Sequence, residues 1–305
     1  MGLFLEQALN GLQAGFTLLM VSSGLTLIFG IMNVINLAHG SLFMVGAFVA
    51  ADVGSRTGNF AIALLAGMVA AGITGLIVEF LIIRRLYLRN HLDQVLATFG
   101  LVLMANQGVQ MIYGTRPSSV QRPAFLNNSV TVLPGVQYPT YRLAIIVAGI
   151  VTIGVLYWIM GRTRVGLWIR AGVTHRELLG AFGINVSLLY TLVFALGAVL
   201  AGFAGVVASP FLAVEAGVGD SFLILSFVVI VIGGIGSLKG AIVGSLVLGL
   251  VDTMARTYLP RLFSRFLDPS AAATVGASVA AASIYLVMVV VLMTKPNGLF
   301  GVTDD

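Results

Sequence analysis

The sequence has no cysteine, which excludes disulfides, thiolate nucleophiles and cysteine-ligated metals. Charge is almost as scarce: 9% of the 305 residues are Asp, Glu, Lys or Arg, where a soluble domain carries about 25%. Histidine occurs only at His39, His91 and His175, and none has a carboxylate or second histidine one helical turn on. Local spacing therefore offers neither a metal site nor an acid–base pair. Central carboxylates are missing from the apolar runs too. Glu79 comes nearest, but Arg84 and Arg85 follow it at a span end, and an interfacial ion pair is the plainer reading than a proton relay. The N-terminus lacks a basic stretch and an A-x-A-like cleavage site, so the first span is expected to be retained.

What remains is apolar. Hydrophobic residues make up 59% of the chain and the mean hydropathy is +1.06. This is the composition of an integral membrane protein with many spans. Apolar runs near 20 residues recur where a barrel would show ~10-residue alternation, so the expected fold class is all-α and polytopic. The 37 glycines suit helices packed closely through small residues, as at Gly11-x-x-x-Gly15. The net charge of +5 fits orientation in a bilayer better than nucleic-acid binding.

About nine membrane segments are expected, with eight full spans plus re-entrant pieces as an equal alternative. Met1 to Asn10 reads as interfacial, Gly11 to Ile31 as the first span, and Leu42 to Ala51 as a short second segment. Thr98, Asn106, Gln107 and Gln110 in the span from Asp93 to Tyr113 read as hydrogen-bonding glue between helices. A polar loop at 114–141 precedes the span from Leu143 to Met160. Asp220-Ser221 looks like an N-cap for a short segment from Phe222 to Ile235, followed by another from Ala241 to Met254 and a polar loop from Thr257 to Pro269. Basic clusters at 84–89 and 162–176 place those ends, and the C-terminus, in the cytoplasm. One membrane-spanning unit, 1–305, is expected: a first half at about 1–160, a cytoplasmic loop at 161–185, and a second half at 186–305.

Residues 33–41 interrupt this pattern. Asn33, Asn36, His39, Gly40 and Ser41 form a polar knot between apolar helix formers. At membrane depth every backbone amide needs a partner, and non-helical backbone is tolerated only where it faces protein or a water-lined cavity. A broken helix lining a pathway satisfies that condition. For His39, a pore-lining role and a satisfied structural histidine stand equally. A second glycine-rich turn, Gly233-Gly234-Ile-Gly236-Ser237-Leu-Lys239-Gly240, echoes the first. An inverted pseudo-repeat and coincidence both account for so short a match. Gly234, Gly236 and Ser237 join the candidate pathway on that basis. The same turn is no phosphate loop, because Leu238 and Gly240 flank its lysine where Gly and Ser/Thr are required.

The stretch from Val173 to Asn185 reads as a short amphipathic helix. It is either a surface helix on the bilayer or an element that slots into a groove on a cytoplasmic partner.

Several of these stretches resemble one family. Asn33-x-x-Asn36-Leu-Ala-His39-Gly40, preceded by Gly24-Leu-Thr-x-Ile-Phe-Gly-Ile and followed by Gly46-Ala, is similar to the signature of LivH-type permeases, the membrane subunits of branched-chain amino-acid ABC importers. Glu177-x-x-Gly180-x-x-Gly183-Ile184-Asn185 resembles that family's ATPase-contacting loop. Leu196-Gly-Ala-x-Leu-Ala-Gly202, Gly233-Gly-x-Gly-Ser-Leu-x-Gly240-Ala and Pro296-Asn-Gly-Leu-Phe-Gly match as well, in order, from about residue 11 to 301. Arg84-Arg85-Leu lacks the proline usual in the family's Arg-Pro-Leu.

The resemblance implies a non-catalytic permease of the bacterial inner (cytoplasmic) membrane. It would work beside a second LivM-like permease or a copy of itself, two cytoplasmic ATP-binding subunits and a periplasmic binding protein, with no nucleic acid. His175, Arg176, Glu177, Gly180, Gly183 and Ile184 would meet the ATPases. This chain would hold no cofactor, since ATP and magnesium would bind the partners. The cargo would be branched-chain amino acids or a related small polar or carboxylate solute, since the family also serves urea, amide and aromatic-acid importers. A stand-alone channel or secondary transporter for such a solute is the alternative, but it has no use for a docking helix. An intramembrane enzyme would need converging catalytic groups, and the sequence shows isolated ones.

Overall fold

Apolar helix formers give each helix its length, and short polar side chains fix where several of them start. The computed structural model describes residues 2–133, 136–174, 179–180 and 182–301. In order it has α1 (Gly2–Met32), α2 (His39–Thr57), α3 (Phe60–Val78), α4 (His91–Tyr113), α5 (Thr140–Arg162), α6 (Arg164–Thr174), α7 (Val186–Ala208), α8 (Val218–Gly233), α9 (Leu238–Phe263) and α10 (Pro269–Thr294). α3 continues through a π-helical stretch, Glu79–Ile83, to a last turn at Arg84–Leu86. Asn59, Asn90, Asn185 and Ser237 cap α3, α4, α7 and α9, each accepting a backbone N–H of the first turn. Such a cap contributes about 0.5–2 kcal/mol.

Among the described residues, seven helices are long and apolar enough to cross a membrane: α1, α3 with its extension, α4, α5, α7, α9 and α10. The chain is a multi-pass membrane protein. α8 is apolar but shorter, at 16 residues. α1 and α7 form the centre: 89% of the most apolar window of α1 is buried, against 17% for α4 and α10. The centre is held by backbone contact. A Cβ on Gly249 of α9 would lie 2.3 Å from the Gly15 nitrogen of α1, so the Gly11-x-x-x-Gly15 face is used as its spacing suggested. Close approach of this kind replaces the hydrophobic drive that lipid removes.

Four sequence expectations need correction. α1 is one helix from Gly2, about 46 Å long, with no separate interfacial segment before Gly11. α9 runs on to Phe263 with Pro260 inside it, so there is no loop from Thr257 and no stop at Met254. Pro260 forfeits one backbone donor where the helix is nearly over. α8 starts at Val218 behind Gly217, whose φ of 87° is left-handed; Asp220 lies in the first turn instead of capping it. The 114–141 stretch, read as a polar loop, folds an antiparallel hairpin of β1 (Ser129–Leu133) and β2 (Val136–Pro139). Ser118 in the same loop pairs with Val214 just ahead of α8.

Candidate functional site

The break after α1 returns the chain into the bundle. Asn33 takes a left-handed φ of 50°, the only non-glycine to do so among the described residues; asparagine tolerates that region through its short polar side chain. Residues 33–36 are non-helical, and a turn at 37–38 leads into α2. His39 then donates from Nε2 to the Val21 carbonyl at 3.1 Å. Val21 lies eleven residues before Met32 on α1, so the chain has climbed back by about 16 Å. α2 therefore begins well within the depth that α1 crosses. Its start abuts the start of α8: a Cβ on Gly40 would lie 2.4 Å from the Gly219 carbonyl oxygen. The positive ends of two helix dipoles meet there.

Exposed backbone in the break is answered from α4. Ile35 N–H donates to Gln94 Oε1 at 3.1 Å and Leu37 N–H to Thr98 Oγ1 at 3.2 Å. Asn36 Oδ1 takes the Ala38 N–H at 3.0 Å. Farther along α4, Asn106 donates to Asp220 in the first turn of α8 at 3.3 Å. Thr98 and Asn106 thus serve between helices, as their place in an apolar span suggested. Gln94, 2% exposed, was missed by the sequence reading. Its signal was there: Gln94, Thr98 and Asn106 recur at four- and eight-residue spacing on one helical face.

The side chains of the break are less well answered. Asn36 Nδ2, His39 Nδ1 and Ser41 Oγ are buried with no hydrogen-bond partner among the described residues. Asn36 and Ser41 line one cavity of about 240 Å³, walled by Thr74 of α3, Leu101 and Met104 of α4 and Phe194 of α7. No lining residue is charged. The cavity offers an amide N–H pair and a hydroxyl to an acceptor, with apolar walls for the rest of a solute. His39 points elsewhere, toward α1, and Asn33 is exposed at the end of α1.

Gly234, Gly236 and Ser237 lie away from that cavity. Ser237 caps α9 by accepting the Gly240 N–H at 3.1 Å. Gly236, at φ 77°, approaches Gly30 of α1. Gly234, at φ 101°, packs on Gly301. The C-terminal Pro296-Asn-Gly-Leu-Phe-Gly stretch folds over the end of α8, where Leu299 and Phe300 N–H donate to the Ile232 and Gly233 carbonyls at 2.8 and 2.9 Å. Two stretches quoted separately from the sequence thus form one helix-ending device.

His175, Arg176 and Glu177 lie outside the described residues. Gly180, Gly183 and Ile184 end a helical turn: Gly183 N–H donates to Gly180 O, Ile184 N–H to Leu179 O, and Gly183 holds φ 76°. This is the Schellman pattern, with glycine at the left-handed position and an apolar residue after it. Asn185 then caps α7. Phe182, in the same turn, is 80% exposed. Glu79 is fully buried and accepts from Arg84 Nε and Nη2 at 3.2 Å each, from Thr191 Oγ1 of α7 at 3.0 Å and from Tyr87. The ion pair read from the sequence is present.

Comparison with known proteins agrees with this architecture. LivH of Escherichia coli K12, a high-affinity branched-chain amino acid transport system permease protein, is 26% identical over 98% of this chain and 96% of its own length. BraD of Pseudomonas aeruginosa PAO1, described in the same words, is 27% identical over 82% of this chain and 85% of its own. A probable LivH of Methanocaldococcus jannaschii is 27% identical over 93% and 89%. No solved structure matches the chain. Residues 7–294 match the family described as branched-chain amino acid transport system, permease component. The chain belongs to that family.

Proposed function

We propose that this chain is a membrane-spanning permease subunit of an ABC importer that carries branched-chain amino acids, or a related small carboxylate or amide, into the cytoplasm. It works beside a second permease, LivM-like or another copy, in the bacterial inner membrane. A periplasmic binding protein delivers the solute, and two cytoplasmic subunits bind ATP and magnesium and hydrolyse the ATP. This chain itself holds no cofactor and performs no covalent step.

One observation carries the reading: a break in the membrane helices places two unpartnered donors, Asn36 and Ser41, in an uncharged cavity with aliphatic and aromatic walls. A carboxylate or carbonyl oxygen meets those donors, and a branched aliphatic tail meets Leu101, Met104 and Phe194. Half-helix starts at Gly40 and Gly219 add a favourable field for the negative end of a solute. On the cytoplasmic side, the turn ending at Gly183, with His175, Arg176 and Glu177 ahead of it, docks on an ATPase subunit, and exposed Phe182 supplies an apolar contact.

The test is to purify the tagged chain from its native membrane in mild detergent, identify what accompanies it, and assay the recovered complex in proteoliposomes for ATP-driven uptake of leucine, isoleucine and valine. An ATPase subunit recovered with wild type and lost with Glu177→Ala or Gly183→Arg supports the docking assignment. A chain that runs alone and passes solute without ATP overturns the importer reading in favour of a channel.

A further inference from the structure

The ATPase-docking turn and the break after α1 lie on different helices, yet a relay of hydrogen bonds and short backbone stretches joins them. It starts at Thr191, in the second turn of α7 and six residues past Asn185. Thr191 Oγ1 donates to Glu79 Oε2 at 3.0 Å, and Arg84 Nη2 donates both to Glu79 at 3.2 Å and to Thr191 at 2.8 Å. The other oxygen of Glu79 receives the Tyr87 hydroxyl. Tyr87 sits in the turn between α3 and α4, closed by Arg89 N–H on Leu86 O at 3.0 Å. Gln94 Nε2 grips that same turn, donating to Leu86 O and Arg89 O at 3.2 Å each. Gln94 Oε1 takes the Ile35 N–H inside the break.

Three features set this relay apart from ordinary helix glue. Glu79 is a fully buried carboxylate on a π-helical stretch, a local irregularity that often marks functional positions. Gln94 has both ends of its amide engaged, one on the α3–α4 turn and one on the break, so neither can shift alone without leaving a buried group unpaired. α4 otherwise rests on the bundle along α2, and its window is only 17% buried. A helix held so lightly can follow the turn that leads into it.

We infer that Glu79 and Gln94 are positioning residues that link the docking turn to the substrate cavity, so that displacement of α7 by the ATPases is passed through the α3–α4 turn to the backbone beside Asn36. The inference rests on the importer reading above. Energetic coupling between separated sites needs a contiguous packed or hydrogen-bonded element, and here each step is a named hydrogen bond or a few residues of one helix or turn.

A double-mutant cycle tests it in the complete complex, reconstituted with its ATPase subunits and binding protein, with solute taken up per ATP hydrolysed as the readout. Thr191→Val removes its bonds to Glu79 and Arg84 with little change of shape, and Gln94→Leu removes the last three. Sites so far apart act additively when independent. The link predicts that each variant lowers uptake per ATP by about tenfold, that the double variant falls no further, and that Thr191→Ser restores wild-type coupling. Effects that add, or uptake and hydrolysis that fall in proportion, overturn the link while leaving the importer reading intact. A wild-type complex without ATP-dependent uptake overturns that reading, and the link with it.

Discussion

Thr98→Val puts a number on what α4 contributes to the break. In wild type, Thr98 Oγ1 accepts the Leu37 N–H at 3.2 Å and donates to the Gln94 carbonyl of its own helix at 2.7 Å. Valine keeps the shape but leaves the Leu37 amide without an acceptor at a depth where water is scarce. Leaving such a group unsatisfied costs about 1–3 kcal/mol, or about 5- to 150-fold in the folded ratio. Losing the bond to its own helix should matter little, because Ser and Thr back-bonding slightly destabilises helices. Thr152→Val on α5 supplies the control: Thr152 is also buried, and its hydroxyl bonds only to Ala148 O of the same helix, at 2.8 Å. Equilibrium unfolding in mixed dodecyl maltoside and SDS micelles measures both. Thr98→Val should be less stable than Thr152→Val by the amount above, and Thr98→Ser should recover most of it. Equal stability of the two valine variants would refute the claim that α4 satisfies the break.

Further outcomes follow from the same geometry. Gly40→Ala or Gly219→Ala drives a methyl into facing backbone, so each should exceed the usual overpacking cost of about 1–3 kcal/mol and be recovered poorly as monodisperse protein, whereas Gly100→Ala, with open space beyond it, should be tolerated. Asn33→Gly should leave thermal stability unchanged or raised, and Asn33→Val should lower it by about 1–2 kcal/mol, since valine resists the left-handed region; equal melting of the two would show that the conformation at 33 relaxes freely. Asn36→Leu and Ser41→Ala should each reduce uptake of branched-chain amino acids. Ser41→Ala should unfold no more easily than wild type because its hydroxyl is unpaired, whereas Asn36→Leu also takes the acceptor from the Ala38 N–H and should lose about 1–3 kcal/mol. Loss of stability without change in uptake would identify them as structural.

The sequence was legible where a signal is local. Long apolar runs gave the spans, and two asparagines, a histidine and a serine in nine residues could not sit in an ordinary membrane helix, so the break after α1 was readable. The residues that make the break affordable were only partly so. Gln94 is an unremarkable glutamine near a helix start; its importance arises from a contact 59 positions away. Helix ends misled for a similar reason. Tyr258 to Phe263 looks like loop because of Arg261 and Pro260, but charge at the end of a membrane helix belongs to the interface and does not unwind it. The β1–β2 hairpin was legible and passed over: Ser129-Val-Thr-Val and Val136-Gln-Tyr alternate on either side of a Pro134-Gly135 turn signal.

Both glycine-rich breaks looked alike in the sequence, and their polar groups separate them. At 233–237 the conspicuous groups are spent: Ser237 on the Gly240 N–H, and the Ile232 and Gly233 carbonyls on the C-terminal stretch. That turn is a closed joint, and its glycines serve left-handed φ and close approach. At 33–41 the backbone is answered by α4, while Asn36 Nδ2 and Ser41 Oγ are held buried and unpaired beside a cavity. Each such atom costs about 1–3 kcal/mol; an apolar residue at 41 would remove that cost outright, and one at 36 would leave the Ile35 and Leu37 amides undisturbed and give up only the acceptor of the Ala38 N–H. A solute that accepts from both atoms in one stage of transport and leaves them in the next accounts for the arrangement: donors already satisfied within the protein would have to break a bond to bind, whereas these have none to break.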